Sequence, residues 1–186
     1  MMWNRSSRKS SKEKFTSAQR AYDCALNLLS YRDFSNQKMR ERLQQKGADE
    51  EQAEEAIQKL QHYGLLDEER YAARVYEGWL HKRCYGRLHL QAELNKRGIS
   101  TAIAQQVLEQ FTPELEEQQA EFAAQLFLER NKQKLAQLQD QDLDVQAKQV
   151  LNKKIYAAAS RFMAARGFSS RYTQILWEKL QGNTDI

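Results

Sequence analysis

Residues Tyr63 to Ile99 read Y-G-L-L-D-E-E-R-Y-A-A-R-V-Y-E-G-W-L-H-K-R-C-Y-G-R-L-H-L-Q-A-E-L-N-K-R-G-I, and this stretch decides the fold. Gly64 closes a preceding helix in the left-handed conformation. Asp67 is an N-cap followed by Glu68 and Glu69 in the first turn, where the helix dipole favours negative charge, so a helix starts at Asp67. Tyr71, Val75, Tyr76 and Trp79 then recur on one face until Tyr85-Gly86 breaks the run. A second helix follows with Leu88, Leu90 and Leu94 as its apolar positions, and it ends in Lys96-Arg97-Gly98. The stretch is a helix-turn-helix unit. Because the break carries Lys82, Arg83 and Arg87, the turn and the helix ends around it are cationic, which points to an anionic partner.

Upstream, the spacing predicts a helix from about Thr16 to Ser30. Ser35 caps a second one that carries Met39 and Leu43 to Gly47. Asp49 with Gln52 three residues on is a capping-box start for a third, which bears Ala53, Ile57 and Leu60. Aligning the chain on Gly47, Gly98 and Gly167 exposes a repeat. Four residues before each glycine stand Leu43, Leu94 and Met163, and one before stand Lys46, Arg97 and Arg166. Ten after come Ile57, Leu108 and Trp177, and thirteen after come Leu60, Phe111 and Leu180. Asp49, Ser100 and Ser169 are the matching caps. Amphipathic helices joined at glycine agree at some apolar positions by chance, but coincident caps in three copies favour a true repeat.

The expected fold is therefore all-α, an elongated array of three tandem three-helix repeats. Residues 1–15 form a flexible basic arm, rich in Ser, Lys and Arg. The repeats cover 16–63, 64–112 and 113–186, the third stretched by an insertion near 131–146. Three short helices bury too little alone, so neighbouring units pack end to end.

Composition agrees, with one proline and seven glycines in 186 residues and abundant helix formers. No apolar run reaches the roughly 18 residues a membrane span needs, and the basic N-terminus has no apolar signal core, so a cytoplasmic protein with no membrane role is expected. Cys24 and Cys84 are expected as free thiols.

Charge alternates along the chain. Residues 1–20 carry a net +5, 21–79 a net −4, 80–99 a net +4, 113–150 a net −4 and 151–180 a net +5. Such blocks fit a protein that touches both a polyanion and a protein, with a merely solvated helical surface as the plainer alternative. The candidate partner- or DNA-binding residues are Lys82, Arg83, Arg87, Lys96, Arg97, Lys153, Lys154, Arg161, Arg166 and Arg171. Lys154 and Arg161 are an i,i+7 pair on one helix face, with Lys153 adjacent and Arg171 at the next helix start, an arrangement suited to phosphate. Lys96-Arg97 equally complements a helix C-terminus. Helix-turn-helix geometry alone carries no duplex readout.

Catalytic signatures are missing: the chain has no Gly-rich phosphate loop, GxSxG or HExxH. No catalytic residue, cofactor or metal site is expected. His81-x2-Cys84-x4-His89 lacks paired metal-ligand spacing and reads as structural. Tyr71, Tyr76 and Trp79 are spaced for a core face rather than for stacking on bases.

G-L-L-D-E-E-R-Y-A at 64–72, Y-G at 85–86, E-L-N-K-R-G-I-S at 93–100 and Arg161-Phe162-Met163-x-x-Arg166-Gly167-Phe168 together resemble the signature of the RecX family, over about residues 20–181. The resemblance implies an all-helical, non-enzymatic regulator that binds the RecA recombinase filament on single-stranded DNA, directly or through the filament. It further implies modulation of filament assembly, ATP hydrolysis and strand exchange in recombination, DNA repair and the SOS response; inhibition, by capping or groove occupation, is the favoured sign, and stabilisation by bridging is the open alternative. A monomer with weak double-stranded DNA binding completes that expectation. Gly64, Leu66, Asp67, Arg70, Tyr71, Tyr85, Gly86, Glu93, Leu94, Gly98 and Gly167 are the structural residues of the signature. The chain departs after Gly86, where the family pattern P-x-R-I-R is replaced by Arg87-Leu88-His89-Leu90-Gln91. A stand-alone helical nucleic-acid-binding module without a RecA partner is the alternative reading.

Overall fold

A computed structural model describes residues 17–138 and 143–182, so the basic arm, Thr16 and part of the 131–146 insertion lie outside the described residues. Among the described residues the chain is entirely helical, with no strand. In order the helices are α1 (Ala18–Leu29), α2 (Asn36–Lys46), α3 (Glu50–His62), α4 (Glu68–Leu80), α5 (Arg87–Lys96), α6 (Thr101–Gln110), α7 (Pro113–Leu138), α8 (Val145–Ala165) and α9 (Ser170–Gly182). None of them is long and apolar enough to cross a membrane. They divide into two compact units: one holds the described residues up to Tyr71 with Arg97–Ser100, and the other holds Ala72–Lys96 with the described residues from Thr101 onward.

In the first unit, local chemistry sets each helix end. The Ser35 hydroxyl accepts from Lys38 N–H, and Asp49 and Gln52 form a reciprocal capping box. Gly47 ends α2 at φ 114°, left-handed as a glycine cap requires. Asp67 accepts from Arg70 N–H at 2.8 Å, and the Arg70 guanidinium donates to the Gly64 carbonyl at 3.2 Å, fixing the turn between α3 and α4. Ala21, Ala25, Met39, Leu43, Ala53, Ile57 and Leu60 are essentially solvent-free, with Phe34 and Leu66 closing the core. Leu66 of the signature is thus a core residue.

This unit also holds a polar junction. Glu68 is buried, and its carboxylate accepts from Asn36 N–H at 2.9 Å and Ser100 N–H at 3.4 Å. One side chain thereby ties the backbone at Asn36 to the backbone at Ser100. Ser35, also buried, donates to the Arg97 carbonyl at 2.8 Å. Gly98 lies against this hydrogen bond at φ 68°, where a Cβ would stand 3.1 Å from the Ser35 hydroxyl and 3.2 Å from Lys38 Cγ.

In the second unit Tyr76 and Trp79 are buried, with Trp79 edge-on to Phe111 at 5.1 Å between ring centroids. Tyr71, expected on the same buried face, is half-buried at the start of α4. Two more expectations need correction. Leu88 is not a core position: it is 55% exposed, because α5 turns Leu90 and Leu94 inward. The α4–α5 break also opens before Tyr85-Gly86: α4 stops at Leu80 and the left-handed residues are Arg83 (φ 49°) and Cys84 (φ 60°), while α5 begins directly after Gly86 as expected.

Gly86 also serves close approach. Its N–H donates to the Arg166 carbonyl at 2.9 Å, and Leu88 N–H donates to the Gly167 carbonyl at 3.1 Å, so the start of α5 is hydrogen-bonded to the α8–α9 turn. Beyond it, α7, α8 and α9 enclose a core of Ala123, Phe127, Ile155, Ala159, Met163, Phe168 and Leu176. Gly47, Gly98 and Gly167 all have positive φ, and Leu43, Leu94 and Met163 are all fully buried, so the repeat seen in the sequence has a structural counterpart at each copy.

Candidate nucleic-acid and partner interface

Helix α8 is the clearest charged surface in the second unit. Its sequence V-Q-A-K-Q-V-L-N-K-K-I-Y-A-A-A-S-R-F-M-A-A carries Lys148, Lys153, Lys154 and Arg161 and no Asp or Glu. Ile155, Ala159 and Met163 point into the core, which turns Lys153, Lys154 and Arg161 outward. Lys154 and Arg161, seven residues apart, lie within about 20° of each other around the helix axis. Tyr156, 43% exposed, stands on the same helix and meets Trp177 edge-on at 5.0 Å. Lys153, Tyr156 and Trp177 line a shallow hollow of about 470 Å³ with Gln149 and Asn152. Arg171 adds a cation at the exposed start of α9, 5.9 Å from the Tyr172 ring centroid.

Other candidate residues are committed to contacts inside their own units. The Arg87 backbone N–H donates to the Glu116 carboxylate at 2.8 Å, and its guanidinium donates to the Phe111 carbonyl at 3.2 Å. Arg166 lies 3.6 Å from the Phe162 ring centroid and donates to the Phe162 carbonyl at 3.3 Å. Arg97 is half-buried and donates to the Tyr71 hydroxyl at 3.3 Å. Two of these guanidinium groups are thus spent on backbone carbonyls and the third on a phenol, with a ring face added for Arg166. Lys82 and Lys96 are exposed, and Arg83 is exposed with its guanidinium 5.1 Å from the Phe122 ring centroid. The structure thus groups Lys153, Lys154 and Arg161 on one helix and leaves the turn residues apart from them in role.

Lys132 and Lys148 were not among the expected cations. Both line an open groove of about 1180 Å³ beside Arg83. For Lys148 the signal in the sequence is the absence of any acid across the 21 residues of α8, whereas Lys132 lies among the acids of α7 and has no such signal.

His89 lies in the first turn of α5. Its Nδ1 accepts the Trp79 indole N–H at 2.9 Å, and its ring is 4.2 Å from that of Tyr85. A nitrogen that accepts this bond must be unprotonated, and burial, opposed by Glu93 and aided by Lys82, lowers the imidazole below its ordinary pKa. Burial likewise raises the Cys84 thiol, against the opposing influence of Arg166, Arg83 and Arg130. No group of three or more His, Cys, Asp or Glu among the described residues is arranged to hold a metal ion.

Comparison with known proteins gives the surface its context. A family model described as RecX, first three-helix domain, matches residues 21–60. The regulatory protein RecX of Trichlorobacter lovleyi is 36% identical over 87 residues, covering 47% of this chain and 56% of the relative. That of Syntrophotalea carbinolica is 36% identical over 89 residues, covering 47% and 58%. The alignments thus span a little over half the length of these relatives. In fold, the chain is similar to the crystal structure of RecX from Lactobacillus salivarius, with a TM-score of 0.67 at 21% identity over 88% of this chain and 96% of the other. A second crystal structure of regulatory protein RecX gives a TM-score of 0.62 at 22% identity, covering 87% and 71%. The matched first three-helix domain, the aligned relatives and the common helical fold agree in making the chain similar to proteins of the RecX family.

Proposed function

We propose that this RecX-type regulator acts on the RecA recombinase by binding the RecA filament on single-stranded DNA and inhibiting its assembly, ATP hydrolysis and strand exchange. The observation that carries this reading is the acid-free outer face of α8, where Lys153, Lys154 and Arg161 are exposed together on a helix whose other side is core. Such a face meets phosphate without the cost of pairing with its own carboxylates. Relatives named as regulatory proteins support a regulator over an enzyme. No chemistry is needed: a ligand that prefers one state of a filament shifts the assembly equilibrium by its difference in affinity. In this reading the three repeats, 16–63, 64–112 and 113–186, act as the binding modules of a monomer in the cytoplasm, and several weak interactions add by multivalency.

The test is RecA-dependent ATP hydrolysis and strand exchange with the protein present at amounts well below RecA. Loss of turnover is the expected result, and unchanged turnover and exchange overturn the regulator reading. The α8 face by itself also favours a nucleic-acid module that needs no RecA. That second reading predicts equal affinity for bare and RecA-coated single strands.

A further inference from the structure

The long helices of the third repeat leave a surface that the charged face of α8 does not explain. α7 has 26 residues and α8 has 21, whereas α9, which packs on both, has 13. Two long helices cannot be covered along their whole length by one short one. The consequence is the open groove of about 1180 Å³, walled by α7 and α8 and bounded by Trp177 of α9. Its aliphatic lining includes Leu126, Leu135 and Leu138, each half-buried, and Val145 at its edge is 68% exposed.

We propose that this groove docks an acidic amphipathic helix of a partner protein. Three observations select that occupant. First, the volume exceeds the roughly 300–1,000 Å³ of small-molecule pockets, and the site is a trough rather than an enclosed cavity. Second, its lining on α7 runs from Phe122 to Leu138, which at 1.5 Å per residue is about 24 Å, or four to five turns of a helix laid alongside. Third, the charges are one-sided: Arg83, Lys132 and Lys148 stand around the apolar floor against the carboxylate of Glu129. An apolar stripe fills the floor while flanking carboxylates meet the cations, the helix-in-groove mode of recognition.

A second copy of this chain is a poorer fit. Its acidic helix α3 has Ala53, Ile57 and Leu60 buried in the first unit, so it has no apolar stripe to offer. A nucleic-acid strand is poorer too, since the aliphatic floor presents few rings for bases to stack on. The groove adjoins the hollow beside Lys153 at Gln149, Asn152 and Trp177, but the proposal is tested independently of the filament reading, because its probe contains neither RecA nor DNA.

The probe is a fluorescein-labelled designed peptide of about 16 residues, with Leu at i, i+3, i+4 and i+7 and Glu elsewhere, followed by anisotropy against the full chain. Saturable binding is expected, about tenfold tighter than for the same Leu pattern with Lys in place of Glu, and tighter than for a scrambled isomer. The double variant K132E/K148E should lose about tenfold in affinity for the acidic peptide while melting like wild type, since Lys132 is exposed and Lys148 half-buried. Val145→Asp should weaken both peptides by removing apolar edge. Equal binding of the scrambled isomer, or undiminished binding by K132E/K148E, overturns the proposal. A concentration-dependent dimer abolished by K132E/K148E would instead assign the groove to self-association, and one-for-one displacement of the peptide by a single-stranded oligonucleotide would assign it to nucleic acid; either result also overturns it.

Discussion

Gly86 and Gly167 meet with no room for a side chain on either. A Cβ on Gly86 would stand 2.6 Å from the Gly167 carbonyl oxygen, and one on Gly167 would stand 2.2 Å from the His89 backbone nitrogen. This approach lets Gly86 N–H reach the Arg166 carbonyl and Leu88 N–H reach the Gly167 carbonyl. Backbone meets backbone here, so neither partner can yield by a rotamer change.

The glycines therefore separate into two kinds, and substitution distinguishes them. Gly64→Ala meets nothing within 4 Å and bears only the left-handed φ of 65°, a cost of about 1 kcal/mol. Gly86→Ala has no positive φ but must displace backbone, at about 1–3 kcal/mol. Gly167→Ala combines both, with φ 76° and the closest clash, and should be the most destabilising of the three. Urea unfolding of the three variants checks the order. A Gly86→Ala protein as stable as Gly64→Ala would mean that α5 and the α8–α9 turn do not touch as described.

Glu68 serves two backbone amides with one carboxylate, so its removal leaves both without that acceptor. Glu68→Ala should cost about 1 kcal/mol or somewhat more, from the loss of two part-buried hydrogen bonds to a charged acceptor rather than of a surface charge. Its neighbour Glu69, exposed in the same helical turn, is the control, and Glu69→Ala should stay within about 0.5 kcal/mol. Thermal melts of both variants decide the matter. Equal melts would assign Glu68 to the solvated surface.

The helix ends were readable in the sequence because they are local. Ser35, Asp49 and Asp67 accept from N–H groups three residues on, and Gly47, Gly98 and Gly167 need only their own backbone angle. What escaped was long-range. Glu68 looks like an ordinary first-turn acid until Asn36 and Ser100, 32 residues away on either side, come into view. Gly86 looks like a helix breaker, yet its partner is at 167. Leu88 fits the apolar spacing of α5, but Leu90 and Leu94 complete the buried stripe without it. The basic residues show the same division. Arg87, Arg97 and Arg166 cannot be told from Lys153, Lys154 and Arg161 by composition, and carbonyls, a phenol and a ring supplied by the fold distinguish them.

His89 links stability to pH. Its folded-state pKa is lowered, first by burial, so in the window below the free-imidazole value of about 6.5 the unfolded chain binds the proton before the folded one does. Stability held above that pH is therefore lost as pH falls toward and through the depressed value. His89→Gln keeps an acceptor for the Trp79 indole and has no proton to take up, so it should flatten this part of the profile. Unfolding free energies from about pH 7.5 to about pH 5 measure it. Parallel curves for the two proteins would show that His89 is not held neutral by the fold.

The remaining prediction tests the face of α8. Reversing Lys153, Lys154 and Arg161 to Glu should leave the melting transition in place, because all three side chains are exposed and the core positions Ile155, Ala159 and Met163 are untouched. Binding to bare single-stranded DNA should weaken, and its salt dependence should flatten by about 0.7 in log–log slope for each phosphate no longer neutralised, or about 2 if all three residues touch phosphate. Arg166→Glu should behave oppositely, lowering stability by removing the cation over Phe162 and from its carbonyl. If the regulator reading holds, the triple variant should also bind a preformed RecA filament more weakly, and the wild type should prefer the filament over bare DNA at the same salt. Equal wild-type affinity for the two, with RecA turnover unaffected, would leave the plain nucleic-acid module standing. An unchanged salt slope in the triple variant would remove the α8 face from DNA binding altogether.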